Sequence, residues 1–475
     1  MSTDLGAPTA AQPVAQPETG SQDRPVALPR PEVTPAEPFA VPVPIRHRLD
    51  NGLTVLSYDM PGQYIHSLRL AIPVPVHQEP VDKEGVATIM ARTLDEGTAR
   101  HTALEFARLL ERRGVALGAG VGESGLSMDI DVAKRHLDYA LDLLRQCLTE
   151  PAFPQDQVER HVATRLAEIE QERSVAGHRA AAEFWSTYFD PTARASRPVG
   201  GRAETVATVT RDDVVAFHAR HIAPDQATLV IAGDFGGIDV IDSITRALGG
   251  WTAASAYQAP PPRPSAEVAS DRARIVVVDR PESVQTEILV GCPGPDRRVA
   301  GGWAPYPLLG FLLGGAPTSR LDALLREDKG YTYGVRASFR PRRRDGVFHT
   351  SGSVRADATV DALRLLLGVL DDAREGFTAE EVQHGVRYLT LTAPGRYATA
   401  DAVADEAAAL AYDGLTTEFT GHTLRELAGM DAERVGTAYR RFVDGQWTVV
   451  LVGDAAGFID EIRELGRGAV TVVPT

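Results

Sequence analysis

The sequence predicts an α+β protein of two homologous domains, each an antiparallel or mixed β-sheet packed with several α-helices. Three observations carry that prediction. Strand-like and helix-like stretches are segregated within each half instead of alternating, which argues against a doubly wound parallel sheet. The halves close alike, on "DDVVAFHARHIAPDQATLVIAGD" (212–234) and "AERVGTAYRRFVDGQWTVVLVGD" (432–454). Each of these is an amphipathic helix with an aromatic residue (Phe217, Tyr439), a turn, and an apolar strand ending Gly-Asp, with the aspartates 220 residues apart. A Pro- and Ser-bearing stretch, 257–271, separates the two. A repeat at this period reads as an internal duplication.

In chain order, residues 1–40 are rich in Pro, Ala, Gln and Thr and lack hydrophobic periodicity. Such a segment buries too little apolar surface to offset its ordering entropy, so a disordered tail is expected. The first domain is expected over 41–256 and the second over 272–475, with 257–271 as linker. "GLTVLSYD" and "SLRLAIPVP" open the first domain as strands; "ARIVVVDR" and "TEILVGCPG" open the second. Helical periodicity follows at 84–96, 102–113, 134–148 and 155–173, then at 304–313, 318–328, 357–374, 379–391 and 397–413. Two alternating, turn-centred stretches, 115–132 and 331–354, read as strand pairs.

Composition narrows the function. A net charge of −15 excludes non-specific nucleic-acid binding, which needs a basic face. The basic run "RPRRRDG" (340–346) reads as a solvated hairpin tip. Cys147 and Cys292 stand in apolar surroundings and read as buried free thiols. No apolar run reaches membrane-spanning length, and no secretory signal is visible, so a cytoplasmic protein with no membrane partner is expected.

Chemistry-bearing motifs are sparse. "FLLGGAPTSRL" lacks the Lys-Ser/Thr ending of a phosphate loop, and no G-x-S-x-G elbow occurs. His218 and His221 in "HARH" share a helix face, but no carboxylate lies between them and "YRRF" holds the same place in the second half, which favours a helix end over a metal site. "HTALE" (101–105) reads as capping chemistry. The residues alone supply no complete catalytic constellation.

Several segments together resemble the insulinase/pitrilysin-type M16 metallopeptidase family over residues 45–455. They are "LDNGLTVLSYD", "GVATIMARTLDEGT", "LEFARLLERRG", "FPQDQVERHVATRLAEIEQE", "LLGGAPTSRLDALLREDKGYTYGVRAS" and the "VIAGD" and "VLVGD" strands. The resemblance implies that the chain is one half of a clamshell enclosing a peptide. Active members carry His-x-x-Glu-His on one helix, whose histidines hold zinc and whose glutamate activates the metal-bound water. In register with "GVATIMARTLDEGT", those positions are Thr88, Ala91 and Arg92; apolar Ala87, Met90 and Leu94 keep the buried stripe. The family's third ligand is matched by Glu168, 76 residues beyond Arg92. Thr88 is a poor ligand, Ala91 cannot be a base and Arg92 repels a dication. The expectation is that this chain binds no catalytic zinc and that Glu168 faces Arg92 as an ion pair.

The second half keeps what the first lacks. The family's substrate-contacting arginine and tyrosine, seven residues apart, are matched by Arg326 and Tyr333. Guanidinium and phenol donate hydrogen bonds to peptide carbonyls and to developing oxyanion charge. The resemblance therefore implies a non-catalytic subunit of a heterodimeric zinc endopeptidase, with zinc on a homologous partner carrying His-x-x-Glu-His and a peptide as substrate. The alternative is a structural pseudoenzyme acting only in assembly. A lone peptidase with an unusual zinc site is disfavoured, because three of the four positions fail.

Overall fold

The computed structural model describes residues 39–74, 76–258 and 268–474. All but the last two residues of the expected tail lie outside the described residues, as does 259–267 of the expected linker.

The first half forms β1 (Ile45–Arg48), β2 (Thr54–Asp59), β3 (Ile65–Ile72), a small pair β4 (Gly97–Thr98) and β5 (His101–Thr102), then β6 (Ala116–Val121), β7 (Leu126–Ala133) and β8 (Thr228–Gly233). The second forms β9 (Arg274–Asp279), β10 (Gln285–Gly294), β11 (Thr332–Pro341), β12 (Gly346–Arg355), β13 (Thr448–Gly453) and β14 (Ala469–Pro474). Two six-stranded sheets result, in the orders β1-β2-β8-β3-β7-β6 and β11-β12-β10-β13-β9-β14. The fold is thus α+β with mixed sheets, as the segregation of strands and helices implies.

The duplication holds strand by strand. β2 runs parallel to β8 as β9 does to β13, and the remaining inner pairs are antiparallel in both sheets. The repeated Gly-Asp endings have the same task in each half. Asp234 accepts a hydrogen bond from the Gly62 amide at 2.7 Å, and Asp454 accepts one from the Glu282 amide at 3.2 Å. Asp59 caps the Phe235 amide at 3.0 Å and Asp279 caps the Ala455 amide at 3.1 Å. These carboxylates satisfy amides that leave the ladder where the strands end. Only the outermost strand differs: β1 is antiparallel to its neighbour, whereas β14 is parallel.

Helices occupy the expected stretches, at Val86–Thr93, Ala103–Glu111, Leu137–Thr149 and Gln155–Ser174, and at Pro305–Gly314, Thr359–Asp372, Ala379–Arg396 and Ala400–Ala411. Capping chemistry does start the second of these: the Thr102 and Glu105 side chains each bond the other's backbone amide. Further helices, among them Ala176–Tyr188, Val240–Leu248 and Thr417–Ala428, were not expected from the sequence.

The first of those explains how the halves are joined. Ala180, Phe184 and Tyr188 recur at helical spacing and bury against Val276 and Val278 of β9, Val347 of β12, and Val450 and Val452 of β13. The helix belongs to the first half by sequence but covers the second half's sheet. The debt is returned by Ala400–Ala411, whose Ala400, Val403, Ala404 and Ala407 pack on Leu56 and Tyr58 of β2 and Val230 and Ala232 of β8. Small side chains on that helix let it lie close to the sheet. Arg69 of β3 fixes it electrostatically, bonding Asp405 at 2.6 Å and Asp131 at 3.1 Å. The described residues of the two halves accordingly form one compact unit.

The basic tip corrects one expectation. Arg343 and Arg344 are exposed, but the Arg342 side chain is only 9% exposed. It stacks 4.4 Å over Phe189 and meets Glu123 at the turn between β6 and β7. The tip is therefore an inter-half contact.

Because each sheet depends on a helix from the other half, a single cooperative unfolding transition is expected for both. Phe184→Ala should lower stability by about 3–5 kcal/mol, and fragments 39–256 and 272–474 expressed apart should remain insoluble or molten. Denaturant melts followed by circular dichroism check both; two separate transitions would contradict the interlock.

Candidate functional site

The helix Val86–Thr93 begins at Gly85, held at φ +105°, where a side chain would collide with the Gly200 carbonyl at 2.9 Å. Its start is fixed by Glu79, fully enclosed, which accepts hydrogen bonds from the Gly85 and Ala87 amides at 3.1 and 3.0 Å and pairs with Arg194 at 2.9 Å. Burial pushes the Glu79 carboxyl up, against the opposing pull of Arg194 and the two amides. Glu84 pairs with Arg197 at 2.8 Å alongside. Ala87, Met90 and Leu94 are buried, so the helix is anchored as its apolar stripe requires.

On this well-held helix Thr88, Ala91 and Arg92 face an unusual environment. Ala91 is buried, and the Thr88 hydroxyl is buried with no hydrogen-bond partner among the described residues. Arg92 reaches the long helix Gln155–Ser174, where its two terminal nitrogens donate to the two oxygens of Glu168 at 2.9 and 2.8 Å. Arg165 donates to Glu168 at 3.2 Å and, in a second fork, to Glu172 at 2.6 and 3.1 Å. Hydrogen bonding from Arg92, then from Arg165, holds the Glu168 carboxyl below its usual range. A methyl, a hydroxyl and a guanidinium make no zinc donor set, and the one hard carboxylate is committed to two arginines. Among the described residues no group of three or more His, Cys, Asp or Glu side chains is placed to hold a metal ion.

The other histidine motif is structural. His218 is bonded to the Leu148 carbonyl at 3.1 Å, and burial pushes its pKa down to about 4. Tyr439, at the corresponding place in the second half, donates to the Leu370 carbonyl at 2.8 Å. Two different side chains thus tie the same pair of helices in each repeat. Cys147 and Cys292 are buried and free.

Arg326 and Tyr333 occupy a helix-to-strand corner. The segment Ala323–Asp328 is a turn of π-helix, in which the Lys329 amide bonds the Leu324 carbonyl at 3.0 Å. Such wide turns are uncommon and frequent at functional sites. Arg326 is exposed there, with Glu327 at 3.4 Å. Tyr333 stands in a β-bulge: Thr332 pairs with Val354, Val335 pairs with Gly352, and Tyr333 and Gly334 face Ser353 between them. The Tyr333 side chain is 93% exposed, an extreme value for so large an aromatic. Helix Pro305–Gly314 crosses directly behind, and a side chain at Gly314 would strike the Ala337 amide at 2.7 Å. Arg326 and Tyr333 are each exposed on this corner, and Arg92 is brought to Glu168. No hydrogen bond or ion pair joins the two groups among the described residues. Missed from the sequence were Glu79 and Asp322, buried carboxylates that hold backbone amides on either side of these elements. Asp322 stands in a first helical turn, where an acidic residue ordinarily just answers the helix dipole.

Two repeated α+β halves, with no metal-holding group among the described residues, define a two-domain metallopeptidase-type fold. Residues 54–193 match the insulinase (peptidase family M16) domain and residues 208–389 match the peptidase M16 inactive domain. The chain belongs to the M16 family. It is 24% identical to an uncharacterized zinc protease of Mycobacterium tuberculosis, over 89% of this chain and 96% of that one. It is 23% identical to the non-peptidase homolog YmxG of Helicobacter pylori, over 74% of this chain and 80% of that one. A crystal structure titled peptidase M16 inactive domain from Pseudomonas fluorescens superposes with a TM-score of 0.77 at 23% identity, covering 86% of this chain and 98% of that one. That likeness establishes the fold.

Glu168→Gln should lower stability by up to about 1 kcal/mol at neutral pH, the pair being partly exposed. Its partners hold the Glu168 carboxyl below the ordinary 4.5. The contribution is therefore present above the unfolded value and disappears as pH falls through the lowered folded one. Urea melts of both forms from neutral pH down to about pH 3 check this; a gap that widened on acidification would contradict it.

Proposed function

We propose that this chain is the non-catalytic subunit of a cytoplasmic, heterodimeric zinc endopeptidase. Its partner is a homologous M16 chain carrying His-x-x-Glu-His and the zinc. This chain contributes Arg326 and Tyr333, which donate hydrogen bonds to the peptide in a shared chamber and to the oxyanion that develops there. One observation carries the reading: Arg92 is closed onto Glu168 in a two-bond fork while Tyr333, on the same helix-to-strand corner as Arg326, remains almost fully exposed. A tyrosine so unprotected contributes little to the fold, and its retention is explained by an outside contact.

A purely structural role is the second reading. It is favoured by the relative named as a non-peptidase homolog. The two differ in what Arg326 and Tyr333 do.

Reconstitution with the zinc-bearing M16 chain of the same organism separates them. Metal analysis of this chain alone should find zinc far below one equivalent. In the mixed complex, Arg326→Ala and Tyr333→Phe should each lower kcat/KM for peptide hydrolysis about 10- to 1,000-fold, as loss of an oxyanion donor does. Unchanged hydrolysis by both variants would leave the structural reading standing, and stoichiometric zinc on the isolated chain would overturn both.

A further inference from the structure

The corner carrying Arg326 and Tyr333 contains a buried carboxylate that the proposed function does not use. Asp322 is 2% exposed, on the helix that bears Arg326 four residues on. Its Oδ1 accepts the Val335 amide at 2.6 Å, and Val335 is the first residue of β11 to rejoin the ladder after the bulge. The Gly334 amide and carbonyl, which the bulge withdraws from the ladder, are satisfied locally. The Thr332 hydroxyl accepts from the Gly334 amide at 3.0 Å and donates to the Gly334 carbonyl at 3.1 Å.

A bulge re-aims a side chain only if its place along the strand is fixed. A slip by one residue would return Tyr333 to the regular ladder and send alternate side chains to the opposite face. Backbone pairing with β12 does not by itself forbid that slip, since β12 offers the same donors and acceptors at every second residue. The buried face of Val335, Ala337 and Phe339 opposes the slip along the strand. Asp322 pins the register at the bulge, because a buried carboxylate left without its donor is costly and the amide it holds belongs to one residue only. The same bond ties the helix of Arg326 to the strand of Tyr333, so it also sets the spacing between them.

We infer that Asp322 is the positioning residue of this corner, locking the bulge through the Val335 amide so that Tyr333 stands out beside Arg326, with Thr332 as its local support. The functional half of this inference rests on the reading of Tyr333 as a substrate contact.

Hydrogen exchange on the isolated chain tests the lock without a partner. Asp322→Ala should raise the exchange rate of the Val335 amide about 10- to 100-fold, as loss of a hydrogen bond to a charged group implies. Asp322→Asn, whose amide oxygen accepts the same bond, should restore most of the protection. Should Asp322→Ala fail to fold, Thr332→Val replaces it, with faster exchange at Gly334 and an unchanged Tm expected. In the mixed complex, Asp322→Ala should lower kcat/KM to the level of Tyr333→Phe, and combining the two should add little further loss. Unaltered exchange in Asp322→Ala, or in Thr332→Val where that variant stands in, overturns the inference, as does an Asn variant as impaired as the Ala variant. If exchange responds as expected but Tyr333→Phe leaves hydrolysis intact, the lock stands and the substrate role of Tyr333 falls.

Discussion

The structure depends on a reciprocal loan of helices. Each sheet has an outer face that its own half leaves uncovered, and each is closed by one helix from the other half. Aromatic Phe184 and Tyr188 fill one seam, and an alanine-lined face of Ala400–Ala411 fills the other. The chemistry differs but the constraint is the same: neither sheet's valines leave water unless both halves are present. Residues far apart in sequence are thereby held at fixed separations. The Arg342–Glu123 contact and the Tyr58–Thr417 hydroxyl pair at 3.1 Å add polar registration across the same boundary.

Within this frame the helix Val86–Thr93 carries its half-buried charge in balance. The helix keeps its buried stripe, its glycine entry and a carboxylate cap, so its backbone is as firmly held as a metal site requires. What occupies it is a fork: a guanidinium opposite a carboxylate, both oxygens engaged, with Arg165 and Glu172 extending the network. Arg92 and Arg165 satisfy Glu168 with concentrated positive charge while the helix keeps its buried stripe.

The second half shows the opposite balance. The Arg326–Tyr333 corner departs from regular geometry twice, by a π-turn and by a bulge, and both departures expose a side chain instead of burying one. Irregular backbone of this kind persists only when its neighbours over-determine it. Here the neighbours are Gly314, which lets a helix press against β11, and Asp322 and Thr332, which hold the amides that the ladder gives up.

Sequence by itself determined the repeat, the segregation of strands from helices, the residue types at Thr88, Ala91 and Arg92, and the spacing of Arg326 and Tyr333. These are properties of residue type and of near-neighbour periodicity, which a linear string records. It did not reveal helix Ala176–Tyr188 as a seam, although its Ala180, Phe184, Tyr188 spacing is visible, because the apolar face has its partners, Val276 through Val452, in the other half. It misjudged Arg342, since a basic hairpin tip reads as solvated until an aromatic ring and a carboxylate from elsewhere close on it. It was silent on Asp322 for the same reason, an acidic residue early in a helix being unremarkable until a strand amide arrives 2.6 Å away. Which charges are buried, which halves interlock and which tyrosine stands free are decided by long-range packing, where the partner of a side chain is set by the fold and not by its neighbours in the chain.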